Sequence, residues 1–216
     1  MFRFQMAFVT SMLALILVGC VTTQTVEVSR SALHAEFEAR EIAILVYSEP
    51  QMAVVTPGDV TGAGLIDALT RPDGSRVAFA SPSHRIASRL KTTLDSGTNL
   101  NFQNVASVSA PPPKRADVRM DARDTLEVFT EVHQLGYRPL NWQTYQYMIR
   151  ANARLTGADG RIISQGVCKV GGPSDDKSLQ IDRTDINKDG GSKLINLIES
   201  AAHQCADQIA ASLVGH

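Results

Sequence analysis

The chain has 216 residues, 44% of them apolar, with 21 basic and 22 acidic side chains and a formal charge of −1. That composition builds a folded globule rather than a disordered tail. Near-neutral charge, with no basic stripe interleaved with aromatics, gives no electrostatic ground for binding nucleic acid.

The first segment has the layout of an export signal. Arg3 supplies a short positive region, and an apolar run from Ala7 to Val18 follows, interrupted only by Thr10 and Ser11. About twelve residues are too few to cross a ~30 Å hydrocarbon core as a helix. The run ends in Leu17-Val18-Gly19-Cys20, which resembles the bacterial lipobox. That resemblance implies a diacylglycerol on the Cys20 thiol, cleavage before Cys20 and acylation of the new amino group. Two or three acyl chains on one residue make a lasting anchor, at about 0.8 kcal/mol per buried methylene. Val21, where an inner-membrane retention signal would place Asp, points to the outer membrane. The expected organisation is a signal over 1–19, a lipidated N-terminus and tether over 20–40, and one domain over 41–216, facing the periplasm.

Along that domain, residues 31–41 suit a short helix. Ile42–Tyr47 is a continuous apolar run ended by Ser48-Glu49-Pro50 and reads as a buried strand. Residues 51–81 are rich in Gly and Pro and read mostly as turns, with one helical turn at 65–69. Ser81-Pro82 has the chemistry of a helix start, with Ser at the cap and Pro in the first turn. Ile86, Leu90 and Leu94 form the apolar face of that helix. Val105–Val108 is a short strand candidate, and Pro111-Pro112-Pro113 reads as a solvated connection.

The C-terminal half is more regular. Leu126, Val128 and Val132 alternate with Glu127 and Glu131, as in a strand with one wet face. Tyr145, Tyr147, Ile149, Ala151, Ala153 and Leu155 alternate with Thr144, Gln146, Met148, Arg150, Asn152 and Arg154. Asp159-Gly160 is a two-residue hairpin signal, so 161–170 returns antiparallel. Ser192 suits the cap of a last helix over 193–213, with Leu194, Ile198, Ala201, Ala202, Ile209 and Leu213 on one stripe. The fold class expected is α+β: a single mixed sheet with an antiparallel C-terminal meander and helices packed mainly on one face.

The hairpin also sorts the remaining cysteines. Counting back from Asp159-Gly160 sets Leu155 opposite Ser164, Ala153 opposite Gly166, Ala151 opposite Cys168 and Ile149 opposite Val170. Cys168 then shares the apolar face. Cys205 lies between Ala201 and Ile209 on the helix stripe. In an oxidising compartment these two thiols are expected to form a disulfide; the rival reading is two separate buried thiols.

Candidate chemistry is sparse. Asp185, Asn187 and Asp189 with Gly190 match the first half of a calcium loop, but Ser192 and Asn196 stand where the second half needs an aliphatic residue and a bidentate carboxylate. An acidic turn leading into the last helix is the plainer reading, and no metal or cofactor is expected. His203 with Cys205 and Cys168 lacks a fourth zinc ligand. Ser81, Ser83 and His84 are too close along one helix start to face each other as nucleophile and base, so no catalytic residue is assigned. Trp142 and Tyr137 are expected to pack on a loop, with a binding hot spot as the rival.

Asp124-Thr125-Leu126-Glu127-Val128, Trp142-Gln143-Thr144-Tyr145, Ala153-Arg154-Leu155, Gly166-Val167-Cys168 and Ala201-Ala202-His203-Gln204-Cys205 together resemble an uncharacterised family of proteobacterial envelope lipoproteins. The resemblance covers 124–213 and implies no activity. The order of strands and helices is also similar to penicillin-binding-protein activator and curli secretion lipoproteins, an analogy at the level of fold. The function expected is a non-enzymatic accessory or scaffold for an envelope complex. It would be held to the membrane through Cys20 and would pair with an envelope protein or with itself. A small-ligand or lipid-binding module using 51–81 is the second reading and a hydrolase the third.

Overall fold

The computed structural model describes residues 28–38, 40–55, 81–110, 123–138, 141–172 and 177–214. Among the described residues, three α-helices, α1 (Arg30–Phe37), α2 (Pro82–Gly97) and α3 (Ser192–Val214), accompany seven strands. These are β1 (Glu41–Tyr47), β2 (Ala53–Val55), β3 (Asn101–Val108), β4 (Asp124–Arg138), β5 (Asn141–Thr156), β6 (Ile162–Val170) and β7 (Gln180–Asp182). They form one mixed sheet in the order β3-β1-β4-β5-β6, with β2 paired to β4 and β7 to β5. β1 lies parallel to both β3 and β4, and β4, β5 and β6 form an antiparallel meander. The α+β class with a single mixed sheet is therefore the observed one.

α2 packs across β1, β3 and β4, α3 packs across β5 and β6, and the two helices touch. α2 begins where the sequence places it: the Ser81 hydroxyl accepts from His84 N–H at 3.2 Å, and Pro82 follows in the first turn. Glu49 adds a carboxylate at the same helix start, accepting from Ser83 N–H at 3.2 Å and Ser83 Oγ at 3.1 Å. Negative charge there complements the helix dipole. α3 begins at Ser192 itself, after a 3-10 turn over Lys188–Gly191, so Ser192 is a helical residue and not the cap.

α1 belongs to the folded unit. Leu33 and Phe37 are buried in the main core, and Glu36 pairs with Arg161 at the β5–β6 turn, 3.3 Å away. Asp124, 4% exposed, accepts from Arg40 at 3.2 Å and from Ala158 N–H at 2.8 Å. The chain thus comes into the described domain beside that turn, and the folded unit starts before Glu41.

The hairpin register is the one the alternation predicts: Leu155 opposite Ser164, Ala153 opposite Gly166, Ala151 opposite Cys168 and Ile149 opposite Val170. The turn itself differs. Gly157 N–H donates to Arg161 O and Gly160 N–H to Gly157 O, both at 2.9 Å, and Gly160 has φ 81°. This is a three-residue loop with Gly in the left-handed region. Ile163, an extra residue on β6 between the Leu155 and Thr156 pairings, absorbs the difference.

A second bulge changes β4. Thr130 faces Ala151 and Val132 faces Arg150, which leaves Glu131 as the extra residue. The phase of the strand inverts there. Leu126, Val128 and Thr130 point to the helices before the bulge, and His133 and Leu135 after it. Val132, expected on the Leu126 face, is moved to the other one.

Candidate functional site

Cys168 and Cys205 form a disulfide, with Cα atoms 5.2 Å apart and sulfurs buried between β6 and α3. The helix reaches the sheet because the facing residues are small: Ala151 and Ala153 on β5, Gly166 on β6, and Ala201, Ala202 and Ala206 on α3. A Cβ on Gly166 would stand 2.8 Å from Ile209 O. With both thiols joined and His203 exposed, no zinc ligand set exists here. Cys20 lies outside the described residues, as do 56–80, which form most of the segment proposed above for a ligand.

The calcium-like turn is not arranged around a cation. The Lys193 ammonium donates to Asp185 Oδ2 at 2.6 Å, which holds that carboxyl below its ordinary value and the ammonium above it. Asp189 is an exposed residue at φ 50°. Among the described residues, no group of three or more His, Cys, Asp or Glu is placed to hold a metal ion. Ser83 and His84 diverge. The Ser83 hydroxyl donates inward to Glu49 and lies 2.7 Å from Thr130 Oγ1, while His84 Nε2 lies 2.8 Å from Ser107 Oγ.

The middle of the sheet face opposite the helices is buried. Glu127 is 3% exposed and Asn152 0%. Tyr47 Oη donates to Glu127 Oε1 at 2.8 Å. Arg154, directly across from Glu127, lays its guanidinium 4.6 Å over the Phe129 ring. Burial pushes Arg154 below its ordinary pKa, and the Glu131 carboxylate opposes that shift. Tyr47 and Phe129 are buried yet lie outside the contiguous apolar core. Strict alternation distinguishes two faces of a strand but does not say whether the second is covered, so the sequence carried no signal of this.

Trp142 corrects the packing expectation. It is the one tryptophan of the chain, it is 63% exposed, and no other large apolar side chain is exposed among the described residues. Tyr137, by contrast, is half-buried against the core. Two residues after Trp142, Thr144 lines a cavity of about 540 Å³ between β7, the neighbouring 3-10 turns and the first turns of α3. Polar residues, among them Gln180, Asp182, Asp185, Lys193 and Asn196, line it together with Ile181 and Leu197. Thr144 Oγ1 donates to Asp182 Oδ1 at 3.1 Å. Gln180 Nε2 is buried and donates to no described residue. A smaller cavity, about 350 Å³, lies beside Tyr137, Arg138 and Met148. A polar residue near a turn is ordinary in sequence, and β7 is only three residues long, so neither cavity was legible before the chain was folded.

No protein-family model matches the chain, and no curated protein matches it. Among solved structures it is similar to PelC of Paraburkholderia phytofirmans, a dodecamer. That match has 13% identity over 89% of this chain and 96% of that one, at a TM-score of 0.37. A DUF330-family protein of Xanthomonas campestris matches at 17% identity over 82% and 87% of the two chains, TM-score 0.35. Lipoprotein B of Nitrosomonas europaea matches at 13% over 79% and 85%, TM-score 0.31. Likenesses at these scores carry no argument about what this chain does.

Proposed function

We propose that the chain is a lipid-anchored envelope protein of the outer membrane, facing the periplasm, with a non-enzymatic accessory or scaffolding role. The observation that carries the reading is Leu17-Val18-Gly19-Cys20 at the end of an apolar segment of about twelve residues. The fold supports it by its polarity. The chain comes into the domain at α1, tied through Glu36 to Arg161 at the β5–β6 turn. Trp142 stands at the other end of β5, about 45 Å away at ~3.3 Å per residue. The segment between Cys20 and α1 spans at most about 30 Å. A lipid on Cys20 then keeps the α1 end near the bilayer and leaves the Trp142 end as the working surface, directed into the periplasm.

The test is metabolic labelling with palmitate, membrane fractionation and in-cell cross-linking of the native protein and of Cys20→Ser. The reading expects palmitate on the wild type alone, and an envelope partner that co-purifies with the wild type and is lost with the variant. Equal membrane association of an unlabelled Cys20→Ser protein would refute the anchor. A labelled, membrane-held protein that captures nothing would refute the accessory role.

A further inference from the structure

We propose that the cavity of about 350 Å³ over Gly136 is a binding site for a small organic carboxylate, an ionised acid on a short apolar body. The site starts from the β4 bulge. Past Glu131 the strand turns Leu135 into the main core, so Gln134 and Gly136 lie on the face away from the helices. Residues paired across neighbouring strands share a face. Gly136 pairs with Gln146 of β5 and with Val55 of β2, and Gln134 pairs with Met148. These five residues line one cavity, as does Arg138. A volume of about 350 Å³ falls in the range of small-ligand pockets.

Gly136 is what opens the space. A glycine inside a strand weakens it, and marks a bulge or a place where a ligand or another backbone comes close. Gly136 is paired on both sides and belongs to neither β4 bulge. Its φ is not positive, so a side chain would bring no backbone strain. A Cβ there would meet only Gln134 Nε2 among the described residues, at an ordinary 3.5 Å. Neither the strand nor its described neighbours call for glycine at this position. The lining then selects the ligand. Arg138 is the one charged residue among the described lining residues. Arg150, one step beyond Met148 on the same face of β5, is paired with Glu131 at 2.9 Å and adds no net charge. A guanidinium is matched in shape by a carboxylate, which takes two parallel N–H donors. Gln134 Nε2, beside the open position over Gly136, is a further donor. Val55 and Met148 supply an apolar surface for the body of the acid, and the methionine chain adapts to its shape. A bare phosphate would leave that surface unused, and a neutral ligand would leave the guanidinium unused. The inference goes beyond the accessory reading and does not rest on it.

The test uses hexanoate as the probe. Full-length protein in detergent is dialysed to equilibrium against radiolabelled hexanoate, with detergent alone as the blank. The proposal expects saturable binding, displaced by unlabelled hexanoate and not by hexanamide or inorganic phosphate at the same concentration. Arg138→Gln, with a urea midpoint showing that it folds, is expected to bind at least tenfold more weakly, about 1.4 kcal/mol. Gly136→Val decides independently of that variant. Valine suits a strand and fills the volume, so binding is expected to vanish while the urea midpoint stays or rises. No saturable hexanoate binding at millimolar concentration would overturn the proposal. So would equal displacement by hexanamide or by phosphate, or binding that persists unchanged in either folded variant. A lowered midpoint in Gly136→Val would also overturn it, by showing that another stretch of the chain already fills the space. These results do not depend on palmitate labelling or cross-linking, so failure here leaves the accessory reading standing, and the reverse.

Discussion

Removing the Cys168–Cys205 bond tests the packing of α3 on the sheet. The two residues are 37 apart in sequence, are at most 1% exposed, and join the last helix to β6. Closing a loop of that length removes about 4 kcal/mol of unfolded-state entropy in the chain-entropy treatment. That is a large share of a typical folding free energy of 5–15 kcal/mol. In a Cys20→Ser background, which leaves only these two cysteines, the double variant Cys168→Ala/Cys205→Ala should lose about that much. With a urea m-value of about 2–3 kcal/mol/M for a chain of this size, the midpoint moves down by about 1.5 M. The m-value should rise, because the unfolded chain is freer to expand. Because both sulfurs are buried, reductant should act on the native protein only through opening of α3, and far more slowly than on the urea-unfolded chain. The assay is equilibrium urea unfolding by far-ultraviolet circular dichroism, with thiol titration under native and denaturing conditions. Two free thiols in native protein isolated from the envelope, or a double variant within about 1 kcal/mol of its parent, would refute the reasoning.

Two further perturbations probe the same sheet. Gly166→Ala places a Cβ 2.8 Å from Ile209 O and 3.0 Å from Ile209 Cγ2, so the helix must shift; the expected loss is about 1–3 kcal/mol, read as a lower thermal midpoint, and an unchanged midpoint would mean that α3 does not sit this close. His133, 3% exposed after the β4 bulge, has its pKa lowered by burial to about 4 from 6.5. A depressed folded value means that the unfolded chain binds the proton first, so stability falls as pH drops from about 6.5 toward 4 and this contribution levels off below. The full span is about 3 kcal/mol as an upper figure; His133→Gln should flatten that part of the pH profile, and an identical slope in the variant would assign it to other groups.

What was legible in the sequence was local or strictly periodic. Six alternations from Tyr145 to Leu155, followed by Asp159-Gly160, determined which residues of β6 face which of β5, and so placed Cys168 in the core. The prediction survived a wrong turn type because the Ile163 bulge restored the register, which burial of one apolar face enforces. Ser81-Pro82 determined where α2 begins, since a cap and a first-turn proline act over a single turn. The four residues ending at Cys20 carry the anchoring proposal in the same way, as a linear motif read in an extended chain.

Only the tertiary structure decided the rest. Glu127 and Asn152 read as solvent-facing because alternation with apolar residues names a face without saying what lies over it. The phase of β4 past Glu131 depended on one extra residue held by pairing with β5, which no periodicity within β4 reveals. Trp142 read as packing because its size favours burial; it stands near the start of β5 and is 63% exposed. The cavity at Thr144 joins residues from β5, β7 and α3 that are up to 56 positions apart, brought together by the return of the last helix across the sheet.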